Sequence, residues 1–311
     1  MSCKQWHASG FSKTACDPKK IIDALNEMRT RKTPYEITCI EDANKITSAG
    51  FKRAYEKFMD GGSELDIHHA YLVGSKQTEE DLPYPIITAL DSKTAILHYQ
   101  KKRVDYDNGK VCLVDAGASS HGYASDITRT WVTPRANKIF KSILSALNIL
   151  QQKLCAQVRP GILTIELHHA SHLGIADILY DHKILTITGD AAINAGLTFP
   201  FFPHGLGHFL GIQTHDVGVP NIKMDKHPLH SLYQNTRTTR KLEVGNVITI
   251  EPGIYFIPML LKKIYKTKNR KYINWDIANA LTPYGGMRIE DDILVTQNRQ
   301  KNLTSIAQTE F

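Results

Sequence analysis

Capping residues and hydrophobic spacing predict where order begins in this chain. The sequence TPYE at 33–36 combines a capping box with a proline at the first helical position, so a helix is predicted to start there. The two glycines at 61–62 end it. A second capping pattern at 63–66 predicts another short helix. Before residue 33 the sequence offers only a short amphipathic piece, IIDALNEM.

The middle of the chain has the apolar period of a long helix over 136–158. Its apolar residues recur three or four positions apart: Ile143, Leu147, Leu150 and Leu154. Pro-Gly at 160–161 ends this helix, and Thr164 is predicted to cap another that runs to about Tyr180. The basic run at 262–271 is interpreted as a solvated loop.

Runs of β-branched and aromatic residues predict strands on both sides of these helices. The predicted strands cover 85–90, 94–99, 111–118, 123–132, 202–216, 244–257 and 285–296. Helices therefore come early in each half and strands follow, and the second half repeats the order of the first. This pattern favours an α+β fold in which an antiparallel sheet is backed by helices.

Composition limits the classes of function. The 311 residues carry a formal charge of +7, but the basic residues are scattered and no groove-reading or stacking motif accompanies them, so nucleic-acid binding is not favoured. The five cysteines are widely spaced without a CxxC pair, which fits a reducing compartment. The first thirty residues lack the apolar run of a signal peptide, and no stretch is long enough to span a bilayer. We expect a cytoplasmic enzyme with no membrane partner.

Candidate chemistry lies in five short segments that are strand-like or rich in glycine. Each contains an acidic or imidazole side chain: Asp115, Asp126, His208, Glu251 and Glu290. Burying four carboxylates with one imidazole is costly unless cations neutralise them, because each buried ion costs several kcal/mol. Two divalent cations would resolve that cost and generate a nucleophile at neutral pH. The mixture of carboxylate and imidazole without thiolate favours Mn²⁺, with Co, Fe or Zn as alternatives.

Structural interpretations of the same residues remain open at this point. An aspartate at the end of a strand can simply cap a turn, and Glu290 can pair with Arg288. His204, His208 and His215 could form a zinc triad, but the glycines among them argue against one helix that carries all three. We therefore expect one histidine ligand and two outer groups. Satisfied core histidines are the other alternative.

Together these motifs resemble the proline dipeptidases (Xaa-Pro dipeptidases, or prolidases), bacterial type, of the pita-bread metallopeptidases. The resemblance rests on DAGA…YASDITRTW, PHGLGHFLGIQTHDVG, ITIEPGIYFI and GGMRIED and runs from about Arg31 to about Leu303. It implies a pita-bread fold with a pseudo-two-fold antiparallel sheet and hydrolysis of Xaa-Pro dipeptides to free proline. The 38 residues between Glu251 and Glu290 resemble prolidases more than aminopeptidases P or methionine aminopeptidases.

The resemblance also implies roles for the five candidate ligands. Asp115 would chelate one metal, Asp126 and Glu290 would bridge both, and His208 and Glu251 would hold the other. Glu251 would also act as general base, passing a proton toward the leaving proline nitrogen. His215 would steady the carbonyl oxygen as it becomes tetrahedral.

Four further residues match family positions around the metals. His98 and Arg237 match positions that hold the proline carboxylate, for which a guanidinium fork is well suited. His204 and Arg288 match positions that orient the ligands. Without the resemblance, a surface ion pair would be the preferred interpretation of Arg237, and a backbone-bonded buried imidazole that of His98.

The chain departs from the family at its beginning. Prolidases carry a separate N-terminal domain, whereas only about 32 residues precede the TPYE helix here. We therefore interpret 1–32 as a remnant of that domain or a linker, and 33–311 as the catalytic domain. This departure leaves dipeptide selectivity and the family's homodimer open. The alternatives are an aminopeptidase P-like Xaa-Pro aminopeptidase and a non-catalytic or truncated pita-bread module.

Overall fold

Helices surround short antiparallel strands in the computed structural model, which describes residues 18–218, Leu229, Tyr233 and 238–308. The α-helices in this part of the chain are α1 Lys19–Thr30, α2 Pro34–Met59, α3 Glu64–Ser75, α4 Lys138–Gln157, α5 Thr164–Asp181, α6 Gly189–Asn194, α7 Pro258–Tyr265, α8 Trp275–Leu281 and α9 Leu303–Gln308. The strands are β1 Ile87–Leu90, β2 Val111–Ala116, β3 Ser119–Ser120, β4 Tyr123–Ala124, β5 Ile127–Val132, β6 Val247–Ile250, β7 Gly253–Tyr255, β8 Gly286–Arg288, β9 Asp291–Val295 and β10 Gln300–Asn302.

Two three-stranded antiparallel sheets form the centre of the fold. The first has the order β1-β2-β5 and the second the order β10-β9-β6, while β3-β4 and β7-β8 are two-stranded pairs. An isolated antiparallel bridge between Thr128 and Glu290 connects β5 to the segment between β8 and β9. The bridge joins the two halves of the chain directly.

Capping interactions explain why α2 and α3 begin where they do. The Thr33 side chain accepts a hydrogen bond from the backbone of Glu36, whose carboxylate in turn accepts one from the backbone of Thr33. Ser63 and Asp66 make the same reciprocal pair. Each box satisfies backbone N–H groups that the first helical turn leaves without partners. Both predicted helix starts are confirmed.

The hydrophobic core lies in two main clusters, one for each half of the molecule. The larger cluster packs α4 and α5 against strands β6 and β9. The smaller cluster packs α2 and α3 against strands β1, β2 and β5. In the smaller cluster Phe51, Phe58 and Tyr71 are buried, and Phe51 and Phe58 both pack on the ring of Trp131. The predicted arrangement of helices backing antiparallel strands is therefore confirmed.

Several predicted elements were wrong in detail. Residues 94–99 are not a strand, because 91–95 form a 3-10 turn followed by irregular backbone. Residues 202–216 are irregular apart from a bridge at Phe209, since the glycines among them do not maintain a regular ladder. The basic run at 262–271 continues helix α7 into a 3-10 turn. Thr164 is the first residue of α5 rather than its cap.

The sequence patterns also missed short elements, namely α6, α7, α8 and α9. The amphipathic piece IIDALNEM lies inside α1. No described helix has both the length and the continuous apolar character that crossing a bilayer requires.

Candidate metal centre

Two aspartates come from neighbouring positions of the first sheet. Asp115 lies near the end of β2, and Asp126 directly precedes β5, which pairs with β2. The intervening segment forms the expected hairpin, with His121 and Gly122 at φ angles of 50° and 82°. Two consecutive positive φ values are typical of a type I′ turn, which matches the twist of the strands. The hairpin thus returns the chain so that both carboxylates border the same cavity.

His208 is placed by a glycine-rich segment that runs alongside β6. The backbone N–H of Thr249 donates to the carbonyl of His208, and the backbone N–H of His208 donates to the Thr249 hydroxyl. A Cβ at Gly207 would lie 1.9 Å from the Thr249 carbonyl oxygen, so only glycine allows this approach. Nδ1 of His208 lies 2.9 Å from the Phe209 carbonyl oxygen, which leaves Nε2 to face Asp126 at 3.2 Å.

The second sheet supplies two glutamates. Glu251 directly follows β6, and its backbone N–H donates to the Leu206 carbonyl at 2.8 Å. Glu290 lies between β8 and β9 and accepts a 2.6 Å hydrogen bond from the Thr128 hydroxyl. The Thr128–Glu290 bridge brings this glutamate to the aspartates of the first sheet. Both halves of the chain therefore contribute acidic side chains to one place.

The five candidate ligands converge on a single cavity of about 130 Å³. The ligand atoms of Asp126, His208 and Glu290 all lie within 4.8 Å of one another, and these three residues are buried. Nε2 of His208 also lies 4.0 Å from Oε1 of Glu251. Asp115 and Glu251 line the same cavity. The arrangement can surround small cations with oxygen atoms and one imidazole nitrogen.

Burial and mutual repulsion disfavour the ionised form of these carboxylates. Burial and the neighbouring charges of Asp126, Glu251 and Asp115 raise the pKa of Glu290 well above its usual range. Burial raises the pKa of Glu251 to about 7, against the lowering effects of His208 and Arg288. The pKa of Asp115 is raised as well, chiefly by burial. Divalent cations would remove this penalty, so the donor set fits hard or borderline metal ions.

Arg288 is the basic side chain that contacts this acidic group from β8. Its guanidinium donates to Oδ2 of Asp115 at 2.5 Å and to the Tyr255 hydroxyl at 2.8 Å, and its Nε lies 3.9 Å from Glu251. The alternative pairing of Arg288 with Glu290 is not the contact that forms. Arg288 instead contacts Asp115, which lies on the other sheet.

Three predicted histidines line the cavity. Nε2 of His204 lies 2.8 Å from the Tyr255 hydroxyl, and its Nδ1 lies 3.8 Å from Glu251. Burial and the charge of Arg288 lower the pKa of His204 to about 3, which keeps its ring neutral.

The His215 ring lies 4.4 Å from that of His208 and perpendicular to it. His98 also lines the cavity, and both it and His215 are exposed. The interpretation of His98 as a buried imidazole bonded to the backbone is therefore wrong. Arg237 lies outside the described residues.

Sequence reasoning missed the tyrosines of this site. The Tyr84 hydroxyl lies 2.9 Å from Oδ1 of Asp115 and 2.5 Å from Oδ1 of Asp126, so it links the two aspartates. Asp292 was also missed: it is fully buried and accepts from the backbone of Asp126 and the side chain of Asn44. A tyrosine between prolines carries no periodic signal, and no local pattern marks Asp292 as a partner of Asp126.

Known proteins share sequence similarity and fold with this chain. The model of metallopeptidase family M24 matches residues 38–297. The Xaa-Pro dipeptidase of Marinobacter nauticus is 41% identical over 295 residues, covering 93% of this chain and 66% of that relative. The Xaa-Pro dipeptidase of Pseudoalteromonas haloplanktis is 39% identical over 304 residues, covering 96% of this chain and 68% of that relative. The chain thus spans about two thirds of the length of the curated relatives that it matches.

Solved structures with the same fold include aminopeptidase P from Escherichia coli. Its complex with the inhibitor Pro-Leu superposes with a TM-score of 0.71 at 28% identity, covering 91% of this chain and 58% of that one. A zinc-substituted form in complex with product gives the same TM-score over 90% of this chain and 57% of that one. The pita-bread fold predicted from the sequence is confirmed.

Proposed function

We propose a function for this chain, which belongs to metallopeptidase family M24. It is a dinuclear metal-dependent dipeptidase that releases proline from Xaa-Pro dipeptides. The observation that carries the proposal is the convergence of Asp126, His208 and Glu290 within 4.8 Å in a cavity that Asp115 and Glu251 also line. The curated relatives named Xaa-Pro dipeptidase support the choice of substrate.

Two divalent ions, with Mn²⁺ preferred, would be held in this proposal by Asp115, Asp126, His208, Glu251 and Glu290. When bound, the ions supply a water-derived nucleophile at neutral pH and Lewis acidity toward the substrate carbonyl. Family membership supports divalent metals in general. Manganese is our inference from the mixture of oxygen and imidazole donors.

The chain's own residues would move the proton and stabilise developing charge. Glu251 would take a proton from the attacking water and return it to the proline nitrogen as the C–N bond breaks. His215 would donate a hydrogen bond to the carbonyl oxygen as negative charge develops there. His215 is exposed, and its ring lies beside that of His208 at the cavity. His204 would remain neutral and orient Glu251.

The proline carboxylate would be held at the exposed side of the cavity. His98 lines the cavity without being buried and so can donate to a substrate anion. Arg237 would supply a second contact. A dipeptide has its carboxylate directly on the residue after the scissile bond, so donors for that carboxylate would favour dipeptides over longer chains.

The test is release of free proline from Gly-Pro by purified protein with Mn²⁺. Glu251→Gln is the catalytic control, since it keeps the shape of the side chain and removes its basicity. We expect hydrolysis by the wild type and its loss in the variant. No proline release with any divalent metal would contradict the proposal. Absence of bound metal after purification in Mn²⁺ would instead favour a non-catalytic module.

A second candidate function is an Xaa-Pro aminopeptidase, because the aminopeptidase P structures superpose over about nine tenths of this chain. The two activities differ in whether the residue after proline is tolerated. Comparing Gly-Pro with Gly-Pro-Gly decides between them, and we expect Gly-Pro to be the better substrate.

Compartment and assembly are part of the same proposal. Cys39, Cys112 and Cys155 are buried and free, and burial raises the pKa of the thiols of Cys112 and Cys155 well above the usual range. Unreactive thiols of this kind suit the cytosol, where we place the enzyme. We also propose a homodimer, which light scattering of the purified chain tests.

A further inference from the structure

The carboxylate of Asp216, directly after His215, is buried between two cations. Its side chain is 1% exposed; Oδ1 accepts from Nη2 of Arg29, and Oδ2 lies 3.0 Å from Nζ of Lys32, whose side chain is also 1% exposed. A buried charge that loses its partner costs several kcal/mol, so this triad favours one arrangement strongly. Both cations come from residues before the region that the family model matches, which starts at residue 38.

The segment that carries these cations is itself fixed to the body of the molecule. The backbone N–H of Lys32 donates to the Gly245 carbonyl at 2.7 Å, and the Asn246 side chain donates to the Thr30 carbonyl at 2.9 Å. The buried Arg240 guanidinium donates through two nitrogens to Glu27. These hydrogen bonds hold segment 27–32 against residues 240–246.

On its other side Asp216 determines the course of the loop that carries His215. Its backbone N–H donates to the Phe209 carbonyl at 2.9 Å, next to His208. Its Oδ2 lies 2.1 Å from the position that a Cβ of Gly211 would take, so the loop folds closely over the carboxylate. His215 is exposed, with its ring at 4.4 Å from that of His208. Its distance from the metal ligands thus depends on where the loop is held.

We propose that Arg29 and Lys32 position His215 through Asp216, which makes these two residues part of the catalytic arrangement. This inference rests on the proposed function for the role of His215 in the reaction. Asp216 does not touch the substrate in this proposal, so it is a positioning residue. Loss of Asp216 would displace His215, which must donate a hydrogen bond to the carbonyl oxygen as negative charge develops there.

Kinetics of Asp216→Asn and Arg29→Gln test the proposal on Gly-Pro with Mn²⁺. We expect kcat to fall about tenfold to a hundredfold, since small displacements of a catalytic group have effects of this size, with KM and metal content unchanged. Arg29→Lys should restore most of kcat. Arg31→Ala is the matched control, because Arg31 lies in the same segment and its side chain forms an exposed pair with Glu243 at 3.7 Å. An unchanged kcat in both test variants would overturn the proposal.

Histidine NMR of the metal-free chain gives a second readout that does not need activity. With ¹⁵N-histidine labelling, His215→Asn identifies the His215 signals. We expect Asp216→Asn to shift or broaden them and to leave those of His182, at the end of α5, unchanged. If the Asp216 variant does not fold, Arg29→Gln replaces it, because the Arg29 side chain is 31% exposed. Unmoved His215 signals contradict the positioning role, whereas a wild type that never hydrolyses Gly-Pro contradicts the proposed function instead.

Discussion

Nε2 of His208 lies 3.2 Å from Oδ2 of Asp126, and both side chains are buried. Burial disfavours the charged imidazole, but the hydrogen bond and charge of Asp126, with the charge of Glu251, outweigh it and raise the pKa of His208 to about 9. In the metal-free chain at neutral pH this imidazole therefore holds a proton on Nε2, the nitrogen that would bind a metal ion. A cation must displace that proton in order to bind.

The affinity for Mn²⁺ should therefore increase as the pH rises from about 6 to about 9, because metal ligands must be deprotonated. His208 becomes neutral only as the pH passes its raised pKa, so metal binding strengthens as the pH rises. Glu251, with a pKa of about 7, loses its proton within the same pH range and acts in the same direction. Calorimetry in buffers of different ionisation enthalpy measures the protons released. Binding without proton release would contradict this expectation.

Glu64 should make stability depend on pH through the ionised form of its carboxylate. It is fully buried and accepts hydrogen bonds from the Leu90 backbone, the Tyr99 hydroxyl and Arg103. Burial would raise its pKa, but these bonds, chiefly those from Arg103, lower it below 4.5. The stabilisation is thus complete above the pKa of the unfolded chain and is lost as the pH falls through the lower folded-state pKa.

Accordingly, Glu64→Gln should lower the free energy of unfolding by about 3 kcal/mol near neutral pH, because the variant leaves the Arg103 charge without its partner. The difference from wild type should shrink as the pH is lowered below the pKa of the unfolded chain. Urea unfolding at several pH values measures both, with exposed Glu80→Gln as the control. A difference that is independent of pH would show that the charge of Glu64 is not the cause.

Gly207→Ala should destabilise the segment that holds His208. The added Cβ would lie 1.9 Å from the Thr249 carbonyl oxygen, whereas a Cβ at Gly205 meets nothing within 4 Å. We expect a loss of about 3 kcal/mol in the free energy of unfolding, a typical cost of overpacking, and weaker Mn²⁺ binding. Gly205→Ala is the matched control, and equal effects in the two variants would contradict the assignment of the contact.

His98→Ala should raise KM for Gly-Pro about tenfold, in line with the 1.5–3 kcal/mol of hydrogen bonds to charged groups, and change kcat less. The physical reason is the loss of a donor to the substrate carboxylate. Glycyl-prolinamide, which lacks that carboxylate, should be nearly indifferent to the substitution. His69→Ala, an exposed histidine on α3, is the control. Equal losses on both substrates would place His98 elsewhere in the reaction.

Local signals predicted the parts of this molecule that local interactions determine. The starts of α2 and α3 follow from their capping boxes, and the hairpin between Asp115 and Asp126 follows from its glycine-containing turn. The convergence of the five candidate ligands was predicted from the cost of burying them. These features need only neighbouring residues or a simple charge argument.

Features that depend on contacts across the fold could not be predicted in the same way. The segment 202–216 resembles a strand by composition, yet the close approach of Gly207 to Thr249 gives it an irregular course. Tyr84 reaches Asp126 only because the irregular backbone before β1 brings it there. The pairing of Arg288 with Asp115 rather than with its near neighbour Glu290 is likewise a property of the assembled sheets.

The bridge between Thr128 and Glu290 has a consequence for biogenesis. Because one sheet supplies the aspartates and the other the glutamates, a nascent chain that has completed only its first half has no chelating centre. Binding of the ions therefore requires that both halves have packed together in register. Metal binding would thus stabilise correctly assembled molecules relative to partly folded ones.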